Sequence, residues 1–402
     1  MKVLVLNCGS SSVKYKLKKM EDESIIASGK VERIGMHNSI LTHHPSDKKD
    51  IKKVMEVLTH DKAIQVVIDV LLDEEHGVIK DKSEITAVGQ RVVHGGEKFA
   101  ESSLVTEEVK ADIKECFDLA PLHNHHNFRG IEAIERLLPG VPQVAVFDTS
   151  FHQTMPPHSY IYALPYAEYQ KYGIRRYGFH GTSHRYVSEQ AAKFMKKSLG
   201  DMKLITCHLG NGCSITAIDK GRSVDTSMGF TPLEGLVMGT RCGDLDPAIV
   251  IHILTKAGLS ISEVDAMLNK HSGLDGISGI SNDMREIMQE VDRGNKRAQL
   301  ALDIFTYRLK KYIAAYAGAM GGVDAIVFTA GIGENVPRVR EQSCSGLEFM
   351  GIKIDKEKNN ETISKQGEIG DSSFKVRIFC IPTNEELIIA RDTASIIKQM
   401  EA

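Results

Sequence analysis

The stretch that decides the fold is residues 204–218, LITCHLGNGCSITAI. Two strand-forming runs flank a polar, glycine-bearing turn, which predicts a strand, a turn and a returning strand. Residues 3–17, VLVLNCGSSSVKYKL, follow the same plan. When the two stretches are superimposed, the matched pairs are Gly9 with Gly210, Ser10 with Asn211, and Asn7 with His208. This internal repeat predicts two related halves, each of which opens with a polar hairpin turn.

The size and composition of the chain indicate a globular protein of more than one domain. At 402 residues it exceeds the size of one ordinary hydrophobic core. A net charge of -3 gives no reason to expect a nucleic acid or an anionic membrane as a partner. The seven cysteines are scattered, without a C-x-x-C pair, and no apolar run matches a signal peptide or a membrane span. These features predict free thiols and a cytoplasmic location.

Hydrophobic patterns in the remaining chain predict alternating strands and helices. Helical patterns cover about 50–72, 106–119, 282–317 and 386–400, and strand patterns cover 141–147, 325–329 and 376–381. The polar residues 356–373 are expected to form an exposed excursion.

Three glycine-bearing turns that follow strands have the character of phosphate or nucleotide loops. Glycine allows backbone N–H groups to approach an anion closely. The candidate residues are Asn7, Ser10, Ser12 and Lys14 at the first turn, 210–212 at the second, and 331–335 at the third. The alternatives are a hairpin turn that needs glycine and serine only for its shape, and a simple strand-to-helix connection. The sequence lacks a G-x-x-x-x-G-K-[ST] loop and a G-x-G-x-x-G motif that opens a helix, so a nucleotide site would belong to another architecture.

Arginines within glycine-rich turns are candidates for binding phosphate or carboxylate. Arg91 precedes Val-Val-His-Gly-Gly, and Arg241 lies in Gly-Thr-Arg-Cys-Gly. Their planar fork suits both anions, although a solvated surface charge is the alternative for either one alone. His180, between Phe179 and Gly181, is a third candidate, with a structural histidine as its alternative.

Two acidic residues at strand ends are candidates for handling Mg²⁺, which prefers carboxylate oxygens together with substrate phosphates. They are Asp148 and Glu385. A turn-initiating aspartate and an acidic residue that favours the helix dipole are the respective alternatives. The histidines at 123, 125 and 126 do not have metal-ligand spacing, and a packed or surface cluster is the preferred interpretation.

Taken together, these segments resemble the acetate kinase family. The resemblance is carried by NCGSSSVK (7–14), RVVHGG (91–96), YGFHGTSH (177–184), HLGNG (208–212), MGTR (238–241), FTAGIGEN (328–335) and PTNEE (382–386). It extends in order over essentially the whole chain.

The resemblance implies an α/β fold of the duplicated actin-like ATPase type, which is ribonuclease H-like, with two domains and a central cleft. We expect a first domain at 1–150, completed by the C-terminal helix 386–402, and a second domain at 151–385 that carries the nucleotide site.

The resemblance also implies roles for individual residues. Arg91, Asp148, His180 and Arg241 would be catalytic, and Asn7, Ser10, Ser12, Lys14, His208, Asn211 and Gly212 would contact phosphate or the transition state. The nucleotide would contact Lys14, His208, Leu209, Gly210, Asn211, Gly212, Asp283, Met284, Arg285, Gly331, Ile332, Gly333, Glu334 and Asn335. Val93, Leu122, Phe179 and Pro232 would form an apolar slot for the substrate methyl group. Asn7 and Glu385 would handle the metal, with Glu386 as an alternative to Glu385.

The activity implied by the resemblance is reversible, in-line transfer of a phosphoryl group between ATP and acetate, giving ADP and acetyl phosphate. Mg²⁺, with Mn²⁺ as an alternative, would be the cofactor, and a homodimer is expected. A propionate or butyrate kinase is the nearest alternative, because added methylenes change pocket affinity by only about 1–3 kcal/mol. A conformational ATPase of the actin or chaperone kind is the alternative from a different class.

Overall fold

The computed structural model describes residues 1–120 and 123–401 and separates into two compact units. The first unit comprises Met1–Gln153 and Asn384–Ala402, and the second comprises Thr154–Thr383. Each unit is built on one mixed β-sheet.

The strands of the first sheet are β1 Lys2–Cys8, β2 Ser12–Lys19, β3 Ser24–Glu32, β4 Met36–Pro45, β5 Ile51–Val57, β6 Ala87–Val92, β7 Ser103–Leu104 and β8 Gln143–Phe147. Those of the second sheet are β9 Lys203–Leu209, β10 Cys213–Asp219, β11 Arg222–Thr226, β12 Ala325–Thr329, β13 Gly367–Glu368 and β14 Arg377–Cys380. The helices are α1 His60–Leu72, α2 Glu107–Glu115, α3 Asn124–Leu137, α4 Pro157–Tyr160, α5 Tyr166–Tyr172, α6 Gly181–Met195, α7 Pro247–Lys256, α8 Ile261–Lys270, α9 Gly273–Ser278, α10 Met284–Asp292, α11 Lys296–Ala319, α12 Ala330–Asn335, α13 Pro337–Cys344, α14 Lys356–Glu361 and α15 Glu385–Glu401.

The two sheets share one topology. The first contains the order β3-β2-β1-β6-β8, and the second contains the order β11-β10-β9-β12-β14. In each sheet the first three strands pair antiparallel, and the last two continue parallel to the central strand. The predicted duplication and α/β class are therefore confirmed, and the two polar turns occupy matching positions between β1 and β2 and between β9 and β10.

Both faces of the first sheet are covered by helices, and the side-chain alternation of β1 explains how. Val3 and Val5 pack with Ile389 and Ile397 of α15 on one face. Leu4 and Leu6 belong to the cluster on the other face, which includes residues of α1 and α3. Because successive strand residues point to opposite faces, a run of four apolar residues marks a strand that is buried on both sides.

In the second unit, α6 and α11 supply apolar side chains to the core. Val187 and Ala191 of α6 and Leu302, Leu309 and Ile313 of α11 are almost completely buried. Helix α12 begins directly at the end of β12, with no intervening loop. Within residues 1–120 and 123–401, no helix has both the length and the apolar character needed to cross a bilayer.

One expectation about local structure is wrong, and a second holds only in part, since most of residues 356–373 are exposed. Residues 51–57, expected to be helical, form β5, which pairs with β4; Ile51 and Val57 face the core, whereas Val54 is 69% exposed. Pairing with the preceding strand β4 outweighs the helical spacing of the segment. The expected exposed excursion at 356–373 contains α14 and β13, and its Asn359 and Ile369 are fully buried.

The predicted helix across residues 282–317 is two helices. Helix α10 ends at Asp292 and α11 begins at Lys296. Between them, Gly294 has a positive φ of 82°, a conformation that ends helices and that glycine adopts without strain.

All seven cysteines are free thiols, and every one except Cys242 is buried. Burial raises the pKa of Cys8, Cys213 and Cys344 to about 12, so very little thiolate, the reactive form, exists at pH 8. We expect a colorimetric disulfide reagent to label at most Cys242 rapidly in the native protein at pH 8. All seven thiols should react after denaturation. Rapid labelling of two or more thiols before unfolding would contradict this burial.

Candidate active site

In the second unit, the turn between β9 and β10 brings Gly212 beside two of the predicted catalytic residues. A Cβ atom added at Gly212 would lie 3.4 Å from Nη1 of Arg241 and 3.5 Å from Cε1 of His180. His180 immediately precedes α6 with a left-handed φ of 57°. Such a conformation costs a non-glycine residue about 1–3 kcal/mol and is concentrated at functional sites. The three residues come from distant segments and converge on one point.

The guanidinium of Arg241 has neutral neighbours. Its Nη1 donates to the carbonyl oxygen of Pro232 at 3.2 Å and approaches Sδ of Met238 at 3.6 Å. Burial lowers its pKa. No carboxylate among the described residues forms an ion pair with it. A half-buried cation without a counter-charge is suited to an anionic ligand, because the ligand would replace the missing carboxylate.

The histidines of this region form a packed, hydrogen-bonded group. The rings of His180 and His208 stack with centroids 4.1 Å apart. Nδ1 of His180 lies 2.9 Å from Oγ of Ser214, which is also 2.7 Å from Nε2 of His184. Ser214 and His184 are fully buried. Their hydroxyl and imidazole groups fix the orientation of the His180 ring.

Gly239 is needed for the close approach of the 238–241 segment to the β9–β10 turn. Its N–H donates to the carbonyl oxygen of Asn211 at 2.9 Å, and a Cβ would fall 1.9 Å from Oδ1 of Asn211. We expect Gly239→Ala to displace the Asn211 side chain and to raise the nucleotide KM by roughly tenfold, as a lost charge-assisted hydrogen bond would. Gly318→Ala in α11 is the matched control, since a Cβ there meets no atom within 4 Å. An unchanged nucleotide KM in the Gly239 variant would contradict this contact.

A cavity of about 590 Å³ adjoins the same turn. It is lined by Gly210, Asn211, Asn282, Asp283, Met284, Arg285, Gly331, Ile332, Asn335 and Val336. Eight of these were predicted to contact nucleotide; Asn282 and Val336 were missed because they flank the motifs. The other six predicted nucleotide contacts do not line it: Lys14, His208, Leu209, Gly212, Gly333 and Glu334. The third predicted loop, 331–335, is a helical turn within α12.

In the first unit, the half-buried Arg91 and the buried Asp148 form an ion pair at the ends of β6 and β8. Nε of Arg91 donates to Oδ1 of Asp148 at 3.0 Å, and Nη2 donates to Oδ2 at 2.5 Å. Nη1 donates to Oδ1 of Asn7 at 3.1 Å. Burial raises the pKa of Asp148, with Arg91 opposing the rise. Burial alone would lower the pKa of Arg91, but Asp148 and Glu385 raise it. Three predicted residues thus meet at one end of the sheet.

The two adjacent glutamates at the start of α15 have different partners. Glu386 accepts a hydrogen bond from Nζ of Lys16 at 3.0 Å, and this lysine lowers its pKa against the effect of burial. Both glutamates raise the pKa of Arg91, Glu385 more strongly, and Glu385 also raises the pKa of Asp148. Of the two, Glu385 is therefore the one more closely associated with the Arg91–Asp148 pair.

The other predicted residues of the first hairpin are more open to solvent. Ser10 and Lys14 are exposed, and Ser12 is half-buried. Lys14 is the cross-strand partner of Asn7. The turn is closed by a 2.8 Å hydrogen bond from the Gly9 N–H to the Ser12 carbonyl.

Three of the four residues predicted to form the apolar slot are described. Val93 and Phe179 are 5% and 2% exposed, so neither is a solvent-facing residue. Pro232 is half-buried, and its carbonyl accepts the hydrogen bond from Arg241. Leu122 lies outside the described residues.

Of the histidines at 123, 125 and 126, one lies near a predicted catalytic residue, which the sequence did not indicate. His125 and His126 pack against Phe117 and His60 respectively, as a packed cluster would. His123, however, lies close enough to Asp148 to lower the pKa of that carboxyl. Spacing alone carried no signal for it, because the contact joins two distant segments.

The chain as a whole, including these clusters, matches a known protein family. The sequence model of the Acetokinase family matches residues 2–391. The chain belongs to this family. It is 59% identical over 398 residues to a protein called acetate kinase from Halothermothrix orenii, covering 99% of this chain and 100% of that one. The crystal structure of Porphyromonas gingivalis acetate kinase superimposes with a TM-score of 0.95 at 49% identity, covering 98% and 99% of the two chains.

A second solved relative carries a different substrate name. A propionate kinase from Francisella tularensis superimposes with a TM-score of 0.92 at 44% identity, covering 98% of this chain and 99% of its own. Together, these acetokinase structures confirm the actin-like fold expected from the sequence.

Proposed function

We propose that this protein is an acetate kinase, which transfers the γ-phosphoryl group of ATP directly to acetate and catalyses the reverse reaction. The observation that carries the proposal is the convergence of His180, Arg241 and Gly212 beside the 590 Å³ cavity. A positive, uncompensated group next to a nucleotide-sized cavity suits the charge of a polyphosphate.

The proposed chemistry requires positioning and charge neutralisation more than covalent catalysis. The carboxylate oxygen of acetate attacks phosphorus, the bond from phosphorus to the ADP oxygen breaks, and ADP leaves with that electron pair. The transition state is loose, with charge spread over the phosphoryl oxygens. Arg241, His180 and Arg91 are assigned to this charge. His208, Asn211 and Gly212 are assigned to the nucleotide phosphates, and Asp283, Arg285, Gly331, Ile332 and Asn335 to the nucleoside.

The oxygen donors around Arg91 fit Mg²⁺ as the cofactor. Mg²⁺ is normally held by one or two carboxylates, with phosphate and water completing six oxygen ligands. Asp148 and Glu385 interact electrostatically, and Asn7 adds an amide oxygen. Oδ1 of Asn384, next to Glu385, is buried and has no hydrogen-bond partner among the described atoms. Asn7, Asp148 and Glu385 would hold the ion, and when bound it would neutralise phosphate charge; Mn²⁺ is the alternative ion.

The choice between acetate and propionate rests on the apolar slot. We assign acetate because the acetate kinase relatives reach 59% identity over the full chain. An additional methylene changes pocket affinity by only about 1–3 kcal/mol, so propionate is expected to be a slower second substrate.

A homodimer in the cytoplasm is the proposed working form. Helix α7 is apolar in composition but has no buried residue, and Ile251 there and Ile261 in α8 are 64% and 80% exposed. Apolar surface of this kind marks protein contacts. A monomeric mass in sedimentation equilibrium at micromolar concentration would contradict the dimer, and recovery in a membrane or extracellular fraction would contradict the location.

The function is tested by trapping acyl phosphate with hydroxylamine in the presence of ATP and Mg²⁺. Acetate, propionate, butyrate and a reaction without acid are compared. Strong acetate-dependent trapping is expected, with less from propionate. Release of ADP at one rate with or without acid would overturn the kinase and favour a conformational ATPase.

A further inference from the structure

A continuous chain of hydrogen bonds in the second unit joins His208 to the first turn of α12. Oγ of Ser183 lies 2.7 Å from Nδ1 of His208 and 2.8 Å from Oγ1 of Thr383. The Thr383 N–H donates to Oε1 of Glu334 at 3.2 Å. Ser183 is fully buried, and His208 is 8% exposed. The Ser183–His208 end of the chain is therefore out of contact with water, whereas Thr383 and Glu334 are half-buried.

Glu334 holds the start of α12 rather than facing the cavity. The same Oε1 accepts the N–H of Ala330 at 2.7 Å, and Ala330 has a left-handed φ of 63°. This conformation is unfavourable for alanine and must be held by its surroundings. One carboxylate oxygen thus holds two backbone groups. The first is at the beginning of the turn that carries Gly331 and Ile332, and the second is the N–H of Thr383.

The direction of the protons in this chain decides what His208 can offer a ligand. Ser183 has one hydroxyl proton and stands between two partners. If the Thr383 hydroxyl donates to Ser183, then Ser183 donates to Nδ1, and the neutral ring carries its proton on Nε2. That Nε2–H can donate to a phosphate oxygen. In the opposite direction Nδ1 carries the proton, and a neutral ring offers phosphate only a lone pair.

We propose that Ser183, Thr383 and Glu334 are positioning residues that keep His208 in the Nε2–H form and tie its orientation to the nucleotide turn of α12. This inference rests on the proposed contact of His208 with the nucleotide phosphates. Partners that fix the tautomer and orientation of a functional imidazole are typically worth about 10- to 100-fold in activity or affinity at metal sites, and a similar range applies to a phosphate contact.

The test uses Thr383→Val, which removes the hydroxyl, retains the side-chain shape and keeps the backbone N–H that Glu334 binds. We expect kcat to fall about tenfold, with the acetate KM unchanged. Ser183→Ala should cause a similar loss, and the double variant should be no worse than either single variant, because both break one chain. Thr383→Ser should restore most of the activity.

The direct readout is the ¹⁵N spectrum of the His208 ring in the full-length protein. The wild type should show a protonated Nε2 and an unprotonated Nδ1, and Thr383→Val should give a mixture of the two forms. Thr306→Val is the matched control, because the partners of its buried hydroxyl among the described residues lie outside the site, in Leu302, Asp303 and Gln342. It should leave kcat and the His208 ring signals unchanged.

A His208→Ala variant separates this inference from the proposed function. If His208→Ala keeps wild-type turnover, the phosphate contact and the positioning chain both fail. If His208→Ala is impaired but Thr383→Val and Ser183→Ala retain wild-type kcat and ring signals, the positioning chain alone is overturned.

Discussion

Replacing Arg241 with alanine is expected to lower kcat by about 10³-fold or more, which is the size of effect attributed to an arginine that neutralises a transferring phosphoryl group. The nucleotide Kd should change by less than about tenfold, since the cavity that would hold the nucleoside does not include Arg241. The fold should tolerate the change. Arg241 has neutral neighbours among the described residues, so its removal leaves no buried carboxylate unpaired.

Turnover and nucleotide binding must be measured separately to test this prediction. Arg241→Lys retains the charge but not the planar fork, and should recover only part of the loss. Arg293→Ala is the control, because this arginine is 72% exposed and pairs with nearby Glu290 and no other carboxylate among the described residues. Wild-type kcat in Arg241→Ala would exclude a role for Arg241 in phosphoryl transfer.

Arg91 is a less direct probe of the same chemistry. Its guanidinium is paired with Asp148, which is only 1% exposed. Removing Arg91 therefore strands a buried carboxylate, and any fall in activity would combine lost catalysis with lost stability. Because Arg241 has no such carboxylate partner among the described residues, its variant separates lost catalysis from lost stability more clearly.

The hairpins were predictable from the sequence because their signals are local. Apolar runs on either side of a polar, glycine-bearing turn need no distant partner to be recognised, and both hairpins pair in the expected way. Strand β5 was missed although it also forms a hairpin, with the preceding strand β4. Val54 at its centre faces solvent and breaks the alternation, so the segment lacks the two-residue period of a strand.

In the candidate site, individual residues could be predicted from local motifs, whereas their contacts could not. The motifs predicted functional roles for Arg241, His180 and Gly212, and those roles remain predictions. Their convergence, at 3.4–3.5 Å from the point that a Cβ on Gly212 would occupy, depends on packing between segments separated by tens of residues. The contacts of Ser183 and Thr383 span 200 residues of sequence, so no spacing rule could have found them.

Arg340 illustrates a residue whose importance has no local signal at all. It lies in α13 among Pro337, Arg338 and Glu341, a segment that resembles an ordinary solvated helix. Yet its side chain is fully buried. Its donors meet the Asn359 side-chain oxygen at 2.7 Å and the carbonyl oxygens of Gly333, Glu334, Asn359 and Thr362 at 2.8–3.0 Å.

Arg340→Met is therefore expected to destabilise the second unit by about 3–5 kcal/mol, because each buried acceptor left without a hydrogen bond costs about 1–3 kcal/mol. Methionine fills most of the volume but removes five hydrogen bonds, and the carbonyls of Glu334 and Asn359 keep long bonds of 3.3 Å from backbone N–H groups. For a unit of this size the melting temperature should fall by roughly 10 °C. Because two of the carbonyls that lose a donor belong to α12, the nucleotide KM should rise as well.

The matched control is Arg338→Ala, on the same helix, whose guanidinium makes a 3.3 Å ion pair with Asp292 and is 39% exposed. Exposed pairs contribute about 0–1 kcal/mol, so its melting temperature should stay within about 2–4 °C of the wild type. If Arg340→Met also melted within that interval, the five hydrogen bonds could not be holding α12 in place. A normal nucleotide KM at a lowered melting temperature would limit Arg340 to a role in stability, separate from the cavity.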